Sequence, residues 1–361
     1  MHPLTIRSVS TRAVEVPFRR PLATRIGTFT KVPYLLIDML TEEGVTGHSY
    51  LFGYRPNGAR LQATVLEEIE AMVKGRPCTP ATLYDELTEG LNLYGPQGIA
   101  LQAISGFDMA AWDACARAAS LPLAALLGGT PGPVRAYNSN GLGLMEPDAV
   151  AAQAVELLEG GFRAMKIRFG RDHVDGDLAA FDAVRAAVPE DCLLMSDFNQ
   201  GLSRREALRR LPMLDDLGLV WFEEPIAYDD YDGCRELRET VATPIQLGEN
   251  FYGPADLQAA VAADAADFVM PDAQRIGGVT GWLRAAAIAH GAQLPVSTHL
   301  FPEVSSHLMR VTPGAHWLEY VDWATPFLAE PLQVQDGYAQ MTTSPGTGIE
   351  WDEDAVRRLA A

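Results

Sequence analysis

Hydrophobic and polar positions follow different periods in different parts of the chain. Residues 6–51 are predicted to form β-strands, with polar and apolar side chains alternating at residues 11–16. Helical spacing of apolar residues follows at residues 62–73 and 101–119. The Pro- and Gly-rich stretch at residues 128–133 then predicts a domain boundary.

Beyond this boundary, short apolar runs alternate with Ala-, Leu- and Arg-rich helical segments. Such alternation predicts parallel strands joined by right-handed crossovers. Eight strands suffice to close a TIM-like (β/α)8-type barrel, so the predicted fold class is α/β. The strands are predicted at residues 134–138, 162–168, 192–197, 219–223, 244–249, 267–272, 294–299 and 316–319.

The chain is therefore predicted to have three parts. An α+β capping domain spans residues 1–130, and the barrel with the catalytic and metal residues spans residues 131–325. Residues 326–361 contain no further βα unit. A turn-rich stretch at residues 344–348 indicates that this last part packs back against the first domain.

Composition argues against several classes of partner. The net charge of −19 over 361 residues disfavours nucleic acid, because binding phosphates requires clustered Lys and Arg. No apolar run reaches the roughly 18–20 residues of a membrane-spanning helix, and residues 1–5 show no signal peptide. The cysteines lack CxxC spacing and are predicted to be reduced thiols of a cytoplasmic protein: Cys78, Cys115, Cys192 and Cys234.

Ionisable residues recur at the predicted carboxyl ends of the barrel strands. From the first acid onward they are spaced by 20 (319 − 299) to 27 (299 − 272) residues, about the length of one βα unit. In a parallel barrel these ends meet at one face, where active sites are built. The predicted ring comprises Lys166, Asp197, Glu223, Glu249, Asp272, His299 and Glu319.

Three acids on consecutive strands, Asp197, Glu223 and Glu249, predict a metal site. Converging carboxylates repel one another and are costly in an apolar barrel mouth unless a cation compensates them. A set of oxygen ligands without Cys or His suits a hard ion, and Mg²⁺ keeps open positions for water or substrate oxygens. Single acids after strands are usually solvated loop residues, but three in succession favour Mg²⁺.

The other members of the ring predict acid–base chemistry. Lys166 and Arg168 lie two apart on one strand and so point to the same face, where a Lys can hold a carboxylate or move a proton. Asp272 and His299 end consecutive strands, and a carboxylate on one ring nitrogen raises the basicity of the other. Glu319 is the next polar group in line.

Taken together, these residues resemble the enolase superfamily, and within it the mandelate racemase type. The similarity extends over the whole chain, most visibly at residues 11–14, 47–52, 270–272, 276–282 and 297–301. The family implies a modified (β/α)8-type barrel with a capping domain. It also implies a Lys or His base, with Mg²⁺ stabilising an enediolate, for removing the proton α to a carboxylate.

Roles for individual residues follow from this resemblance. It makes Asp197, Glu223 and Glu249 the metal ligands, and His299 the base backed by Asp272. Glu319 resembles the acid that shares a proton with a substrate carboxylate oxygen. The carboxylate would be held by Lys166 and Ser139, and the 2-hydroxyl by Asn199.

The family also implies that an N-terminal loop covers the barrel and helps to select a small 2-hydroxy acid. The expected cover is largely apolar, apart from Arg25, and suits an aryl or alkyl group better than a polyol. Ordinary packing between the domains would explain the same residues equally simply. The expected lining residues are Leu22, Thr24, Arg25, Ile26, Phe29, Phe52, Tyr54, Leu93 and Leu300.

One position departs from the mandelate racemase pattern, in which the strand carries Lys-x-Lys and the second Lys is a base opposite the histidine. Here that residue is Arg168. Arginine stays protonated and is a poor base but a good anion clamp. The apolar cover slightly favours a racemase or epimerase, whereas Arg168 favours a hydro-lyase that dehydrates acid sugars with His299.

Two other functions are less consistent with the sequence. A non-catalytic barrel would be expected to lack some metal or base residues, and all are present. A phosphate-binding barrel would carry a Gly-rich loop after the seventh or eighth strand, but Gly277 and Gly278 follow the sixth. The resemblance further suggests a homo-oligomer.

Overall fold

The computed structural model describes residues 4–95 and 97–361 of the chain. The first three residues, on which the expectation of no signal peptide partly depends, lie outside this range. Among the helices of the described residues, none combines the length and the apolar character needed to cross a bilayer.

The described residues form twelve strands and thirteen α-helices, with three short 3-10 turns. The strands are β1 (Ile6–Thr24), β2 (Gly27–Thr41), β3 (Thr46–Phe52), β4 (Val134–Asn138), β5 (Ala164–Arg168), β6 (Leu193–Asp197), β7 (Phe222–Glu223), β8 (Ile245–Leu247), β9 (Phe268–Val269), β10 (Leu318–Tyr320), β11 (Gln333–Gln335) and β12 (Tyr338–Gln340). The helices are α1 (Pro56–Val73), α2 (Pro80–Gly90), α3 (Ile99–Ala118), α4 (Leu123–Leu126), α5 (Pro147–Glu156), α6 (Val174–Ala187), α7 (Arg204–Leu214), α8 (Tyr231–Thr240), α9 (Pro254–Ala262), α10 (Ala273–Ile276), α11 (Gly278–Gly291), α12 (Pro302–Met309) and α13 (Glu353–Leu359). The 3-10 turns are Asn92–Tyr94, Asp215–Leu217 and Thr325–Phe327.

An antiparallel sheet of order β1-β2-β3 forms the first domain together with α1, α2 and α3. One face of the sheet packs on α3, where Ile37 and Leu51 contact the helix at Gly106. The opposite face packs on the barrel, where the ring of Tyr50 stacks on Phe301 at 5.2 Å. Burial on both faces explains the continuous apolar run of β2.

Parallel strands β4 to β9 lie side by side, and β10 returns to pair with β4. Residues 294–299 close the gap through parallel bridges from Val296 to Val269 and to Ala315. The prediction of a closed (β/α)8-type barrel with an α+β capping domain is confirmed.

The predicted strand at residues 294–299 forms isolated bridges rather than a continuous ladder. Pro295 lies inside it and has no N–H to donate to a neighbouring strand. The chain still follows the barrel wall, because Ser297 N donates to Val269 O at 2.8 Å and Thr298 N to Trp317 O at 2.9 Å. His299 is therefore held at the barrel mouth without a regular strand.

The C-terminal segment contacts both domains. Its hairpin of β11 and β12 pairs antiparallel with the start of β4, a strand addition that the sequence pattern did not predict. Further along, Trp351 Nε1 donates to Asp38 Oδ1 of the first domain at 2.6 Å. Ala360 forms a bridge to Val14 of β1. The segment thus ties the capping domain to the base of the barrel.

Large side chains fill the barrel interior away from the predicted ring of polar groups. Together with the small Ala164, they form a separate buried cluster: Tyr137, Met195, Trp221 and Trp317. Packed in this way, the barrel is closed below and leaves its C-terminal mouth as the place for a ligand.

Gly47 of β3 provides a test of the sheet–helix packing, because a Cβ there would lie 2.0 Å from Ala110 O of α3. We expect Gly47→Ala to lower the free energy of unfolding by about 1–3 kcal/mol through overpacking. Gly291→Ala is the matched control, since its Cβ would meet nothing within 4 Å. Urea denaturation followed by circular dichroism measures both, and equal stability of the two variants would contradict this close approach.

Candidate active site and metal centre

The polar groups predicted at separate strand ends converge on one cluster. Lys166 lies at its centre, on β5, with Nζ 3.3 Å from Asp197 Oδ2 and 2.9 Å from Glu319 Oε1. Its ammonium also contacts Glu223 Oε1. Residues 153 positions apart (319 − 166) therefore meet inside the barrel mouth, as the βα spacing predicted.

Carboxylate oxygens of Asp197, Glu223 and Glu249 lie within 4.8 Å of one another. Oxygens bound to one octahedral Mg²⁺ at ~2.1 Å are ~3 to 4 Å apart, so the three groups fit a shared ion after small adjustments. Asp197 and Glu223 are buried, whereas the side chain of Glu249 is 14% exposed and borders the cavity. Such a centre is shielded on one side and open to a ligand on the other.

Local structure orients each of these acids. Asp197 Oδ1 accepts from the backbone N of Asn199 at 2.7 Å, and its Oδ2 accepts from Asn199 Nδ2 at 3.0 Å. This tight turn puts Asn199 at φ 46° and Gln200 at φ 59°, left-handed conformations that Asn tolerates better than most residues. Backbone strain of this kind is concentrated at functional sites.

Glu223 is fixed from below by Trp221 Nε1 at 2.9 Å and by Gln246 Nε2 at 3.3 Å, both bonds to Oε2. Burial raises the pKa of Glu223 to about 8, although the charge of Lys166 acts in the opposite direction. Burial would also lower the pKa of Lys166, but the surrounding carboxylates, first Glu223, outweigh it and hold that pKa above its usual value. A further cation would stabilise the ionised acids.

Arg168 lies beside Asp197, with Nε 3.5 Å from Oδ2, and its Nη2 donates to Ser139 Oγ at 3.3 Å. Within the described residues, its buried Nε and Nη1 have no hydrogen-bond acceptor. Arg168 borders the cavity, and since Nε faces Asp197, Nη1 is the donor available to a ligand. Ser139 is fully buried and is not among the described residues that line the cavity, so its predicted contact with the substrate carboxylate stays a prediction.

His299 and Asp272 form the predicted pair, with Nδ1 2.7 Å from Oδ2. Asp272 caps α10, and its Oδ1 accepts from the backbone N of Gln274 at 2.7 Å and of Arg275 at 3.0 Å. An ionised Asp272 only accepts hydrogen bonds, so in the neutral imidazole of His299 Nδ1 carries the proton and Nε2 is the basic nitrogen. Burial lowers the pKa of His299, but nearby carboxylates, first Glu249, outweigh it and raise the pKa to about 9.

Glu319 is buried on β10 and faces Lys166, while its Oε2 accepts from Leu300 N at 2.8 Å. Burial alone would raise the pKa of Glu319, but the charge of Lys166 outweighs burial and holds the pKa well below its usual range. In this arrangement Glu319 is an ionised partner of Lys166.

A cavity of about 300 Å³ opens above the cluster and below the β1–β2 hairpin. Leu144 N donates to Ala23 O at 2.8 Å and so attaches the hairpin tip to the barrel. The cavity is lined by Phe18, Leu22, Thr24, Ile26, Phe29, Phe52, Tyr54, Lys166, Arg168, Asp197, Asn199, Gln200, Glu249, Asn250, Arg275, His299, Leu300, Glu319 and Trp323. Apolar side chains dominate on the side of the capping domain.

Two predicted lining residues lie elsewhere. Leu93 is 98% exposed on a short 3-10 turn, and Arg25 extends outward to pair with Asp172 at 3.2 Å. Conversely, five lining residues were not predicted: Phe18, Gln200, Asn250, Arg275 and Trp323. Three of them could have been predicted from the sequence, because each lies one to three residues after a predicted site residue. Gln200 follows Asn199, Asn250 follows Glu249, and Arg275 lies three residues after Asp272.

Comparisons with known proteins agree with this architecture. Residues 6–128 match the N-terminal domain of the mandelate racemase/muconate lactonizing enzyme family, and residues 149–355 match the enolase C-terminal domain-like family. The L-talarate/galactarate dehydratase of Salmonella typhimurium is 31% identical, covering 96% of this chain and 87% of the relative.

Two solved structures are closer still. An enolase from an alphaproteobacterium, BAL199, with bound Mg is 49% identical with a TM-score of 0.97, covering 99% of this chain and 100% of the other. An enolase from Bradyrhizobium, complexed with magnesium and mandelic acid, is 40% identical with a TM-score of 0.95, covering 100% and 99%. The chain belongs to the mandelate racemase/muconate lactonizing enzyme family, and it is a magnesium-dependent enzyme of the enolase superfamily.

Proposed function

We propose that the chain removes the α-proton of a small 2-hydroxy carboxylate with His299 and then expels a 3-hydroxyl as water. The observation that carries this proposal is the asymmetry of the site. His299 Nε2 is a proton acceptor on one side of the cavity, whereas the corresponding group near β5 is the guanidinium of Arg168. A guanidinium does not release its proton at accessible pH, so only one side supplies a base.

The metal would be held by Asp197, Glu223 and Glu249. Bound there, Mg²⁺ supplies positive charge that stabilises the negative charge developing on the substrate carboxylate. Donors of the chain add to this effect: Lys166 and Arg168 present buried cations at the same face. Asn199 borders the cavity next to Asp197 and suits the 2-hydroxyl.

Proton movements follow from one base. The α C–H bond breaks, its proton goes to His299 Nε2, and its electron pair enters the enediolate. The C3–O bond then breaks as His299 returns that proton to the departing hydroxyl on the same face. Water leaves, and the remaining enol becomes a 2-keto-3-deoxy acid. The carboxylate of Asp272 stabilises the imidazolium formed between these steps.

Racemisation of an aryl 2-hydroxy acid is the second candidate. It is supported by the apolar cover formed by Leu22, Ile26, Phe29, Phe52 and Trp323. The Bradyrhizobium relative was crystallised with mandelic acid, which has no 3-hydroxyl to lose. Racemisation would require a proton carrier on the Arg168 side.

We further propose that the enzyme is a cytoplasmic homo-oligomer. Free thiols at all four cysteines support a reducing compartment. Leu93 and Tyr94 are 98% and 69% exposed on one turn, an arrangement more typical of a subunit contact than of a solvated surface.

A screen in D₂O with Mg²⁺ separates the two reactions. We expect aldonic and aldaric acids to give 2-keto-3-deoxy products, and either mandelate enantiomer to exchange its α-proton at most with retention. Mass spectrometry detects the loss of water, and chiral chromatography with NMR detects deuteration and inversion. Inversion by the wild-type enzyme would overturn the one-base proposal in favour of racemisation.

Replacing the guanidinium tests the same asymmetry directly. We expect Arg168→Lys to introduce α-deuteration with inversion, because an amine can act as a base where a guanidinium cannot. Arg168→Met is the matched control and should give no inversion. The two variants are compared with wild type on enantiopure mandelate, and identical stereochemistry in all three would contradict the role assigned to Arg168.

The metal assignment is tested with Glu249→Gln, which keeps size but removes one negative ligand. We expect Mg²⁺ binding to weaken and turnover to fall at least a hundredfold, because the dianionic intermediate loses its cation. Calorimetric titration with MgCl₂ and the circular dichroism spectrum separate lost binding from lost folding. Exposed Glu239→Gln, which should change neither quantity, is the control; unchanged activity in Glu249→Gln would exclude this metal site.

A further inference from the structure

We propose that Arg275 is a positioning residue that couples the metal ligand Glu249 to the base pair of Asp272 and His299. This inference rests on the proposed function, which assigns those roles. Arg275 lies on α10, three residues after Asp272, and is only 8% exposed. Its contacts connect the loop after β8, which carries the metal ligand Glu249, with the loop after β9, which carries Asp272. One residue therefore contacts both the metal half and the base half of the site.

The side chain of Arg275 contacts the metal half of the site. Arg275 Nη1 donates to the backbone O of Glu249 at 2.8 Å and to Asn250 Oδ1 at 2.5 Å. The amide of Asn250, fixed by this bond, donates through Nδ2 to Glu249 Oε1 at 3.3 Å and to Glu224 Oε2 at 2.7 Å. Both the main chain and the carboxylate of Glu249 are therefore oriented through Arg275.

The main chain of Arg275 contacts the base half of the site, formed by Asp272 and His299. The backbone N of Arg275 donates to Asp272 Oδ1 at 3.0 Å, and Asp272 Oδ2 holds His299 Nδ1 at 2.7 Å. The backbone O of Arg275 accepts from Gly253 N at 3.0 Å, a second link to the loop that carries Glu249. A displacement of Arg275 would move the acceptor that fixes the tautomer of His299.

Among the described residues, the buried charge of Arg275 is not part of an ion pair, which suits a residue that positions its hydrogen-bond acceptors. Across the described chain, no carboxylate lies within 4.0 Å of its guanidinium to form an ion pair. Its charge is instead stabilised by the rings of Tyr54 and Tyr252, whose centroids lie 4.9 and 5.9 Å from Cζ. A planar guanidinium packed against rings positions its acceptors better than a flexible ammonium.

Calorimetric titration with MgCl₂ and the rate of α-proton exchange test this coupling in the full-length protein. We expect Arg275→Met to weaken Mg²⁺ binding about tenfold to a hundredfold. At saturating Mg²⁺ its kcat should stay about tenfold below wild type while KM changes little, because the base pair is also displaced. Arg275→Lys keeps the positive charge and is the conservative variant. Its Mg²⁺ affinity and kcat should lie between those of wild type and those of Arg275→Met.

Arg284→Met is the matched control, because Arg284 also stacks on a tyrosine, Tyr84 at 5.0 Å, but pairs with Asp85 at the surface. It should leave both measurements unchanged. A double-mutant cycle with Asn250→Leu tests the route: if Arg275 acts on Glu249 through Asn250, the losses in Mg²⁺ affinity should be less than additive.

Three results would overturn the coupling: unchanged Mg²⁺ affinity in Arg275→Met, full recovery of kcat at saturating Mg²⁺, or a rise in KM alone, which would indicate direct substrate binding. A failure of the proposed function looks different. There, wild-type protein itself would bind no Mg²⁺, or Glu249→Gln would titrate like wild type.

Discussion

The site depends on repulsion between carboxylates that the barrel forces together. At ~4 Å and an effective dielectric constant of ~20, two like charges cost about 4 kcal/mol. Asp197, Glu223 and Glu249 converge within 4.8 Å, and Glu319 approaches the same lysine. The two buried cations, Lys166 and Arg168, carry two positive charges against these four carboxylates and cannot neutralise them. The chain therefore folds into a site that is complete in charge only with a divalent cation, and this requirement makes the site specific for metal chemistry.

The βα repeat that brings these carboxylates together also explains how much of the site the sequence predicts. Residues that belong to the βα repeat could be placed because each unit returns the chain to the same face after 20 to 27 residues. The part of the ring from Asp197 to Glu319 follows from that spacing, whereas Lys166 lies 31 residues (197 − 166) before Asp197, on the preceding predicted strand. Short strands such as Phe222–Glu223 do not weaken the prediction, since the position of a strand end matters more than its length. Even His299, held by isolated bridges around Pro295, lies where the repeat requires.

The location of residues outside the βα repeat could not be predicted from this spacing. Leu93 and Arg25 were assigned to the cavity, but they belong to the capping domain, whose register on the barrel is set by long-range contacts without a sequence period. The 2.8 Å bond from Leu144 N to Ala23 O is one such contact. Ser139 shows a different limit: it directly follows β4 and accepts a hydrogen bond from Arg168, yet it is not among the described residues that line the cavity. The hairpin of β11 and β12 likewise pairs with β4 over a distance that no local pattern encodes.

In the proposed function, Arg168 determines what happens to the enediolate after it has formed. The enediolate forms in the same way whether the enzyme is a racemase or a hydro-lyase, because its stabilisation depends on the metal, Lys166 and the electrostatics of the mouth. Racemisation and dehydration differ only afterwards, in the proton transfer that follows formation of the enediolate. A neutral amine opposite His299 could accept or deliver that proton on the second face, whereas a guanidinium anchored to Asp197 and Ser139 can only bind charge. In the proposed function, the reaction outcome therefore depends on the proton affinity of the group at position 168, while the apolar cover independently selects the substituent of the substrate.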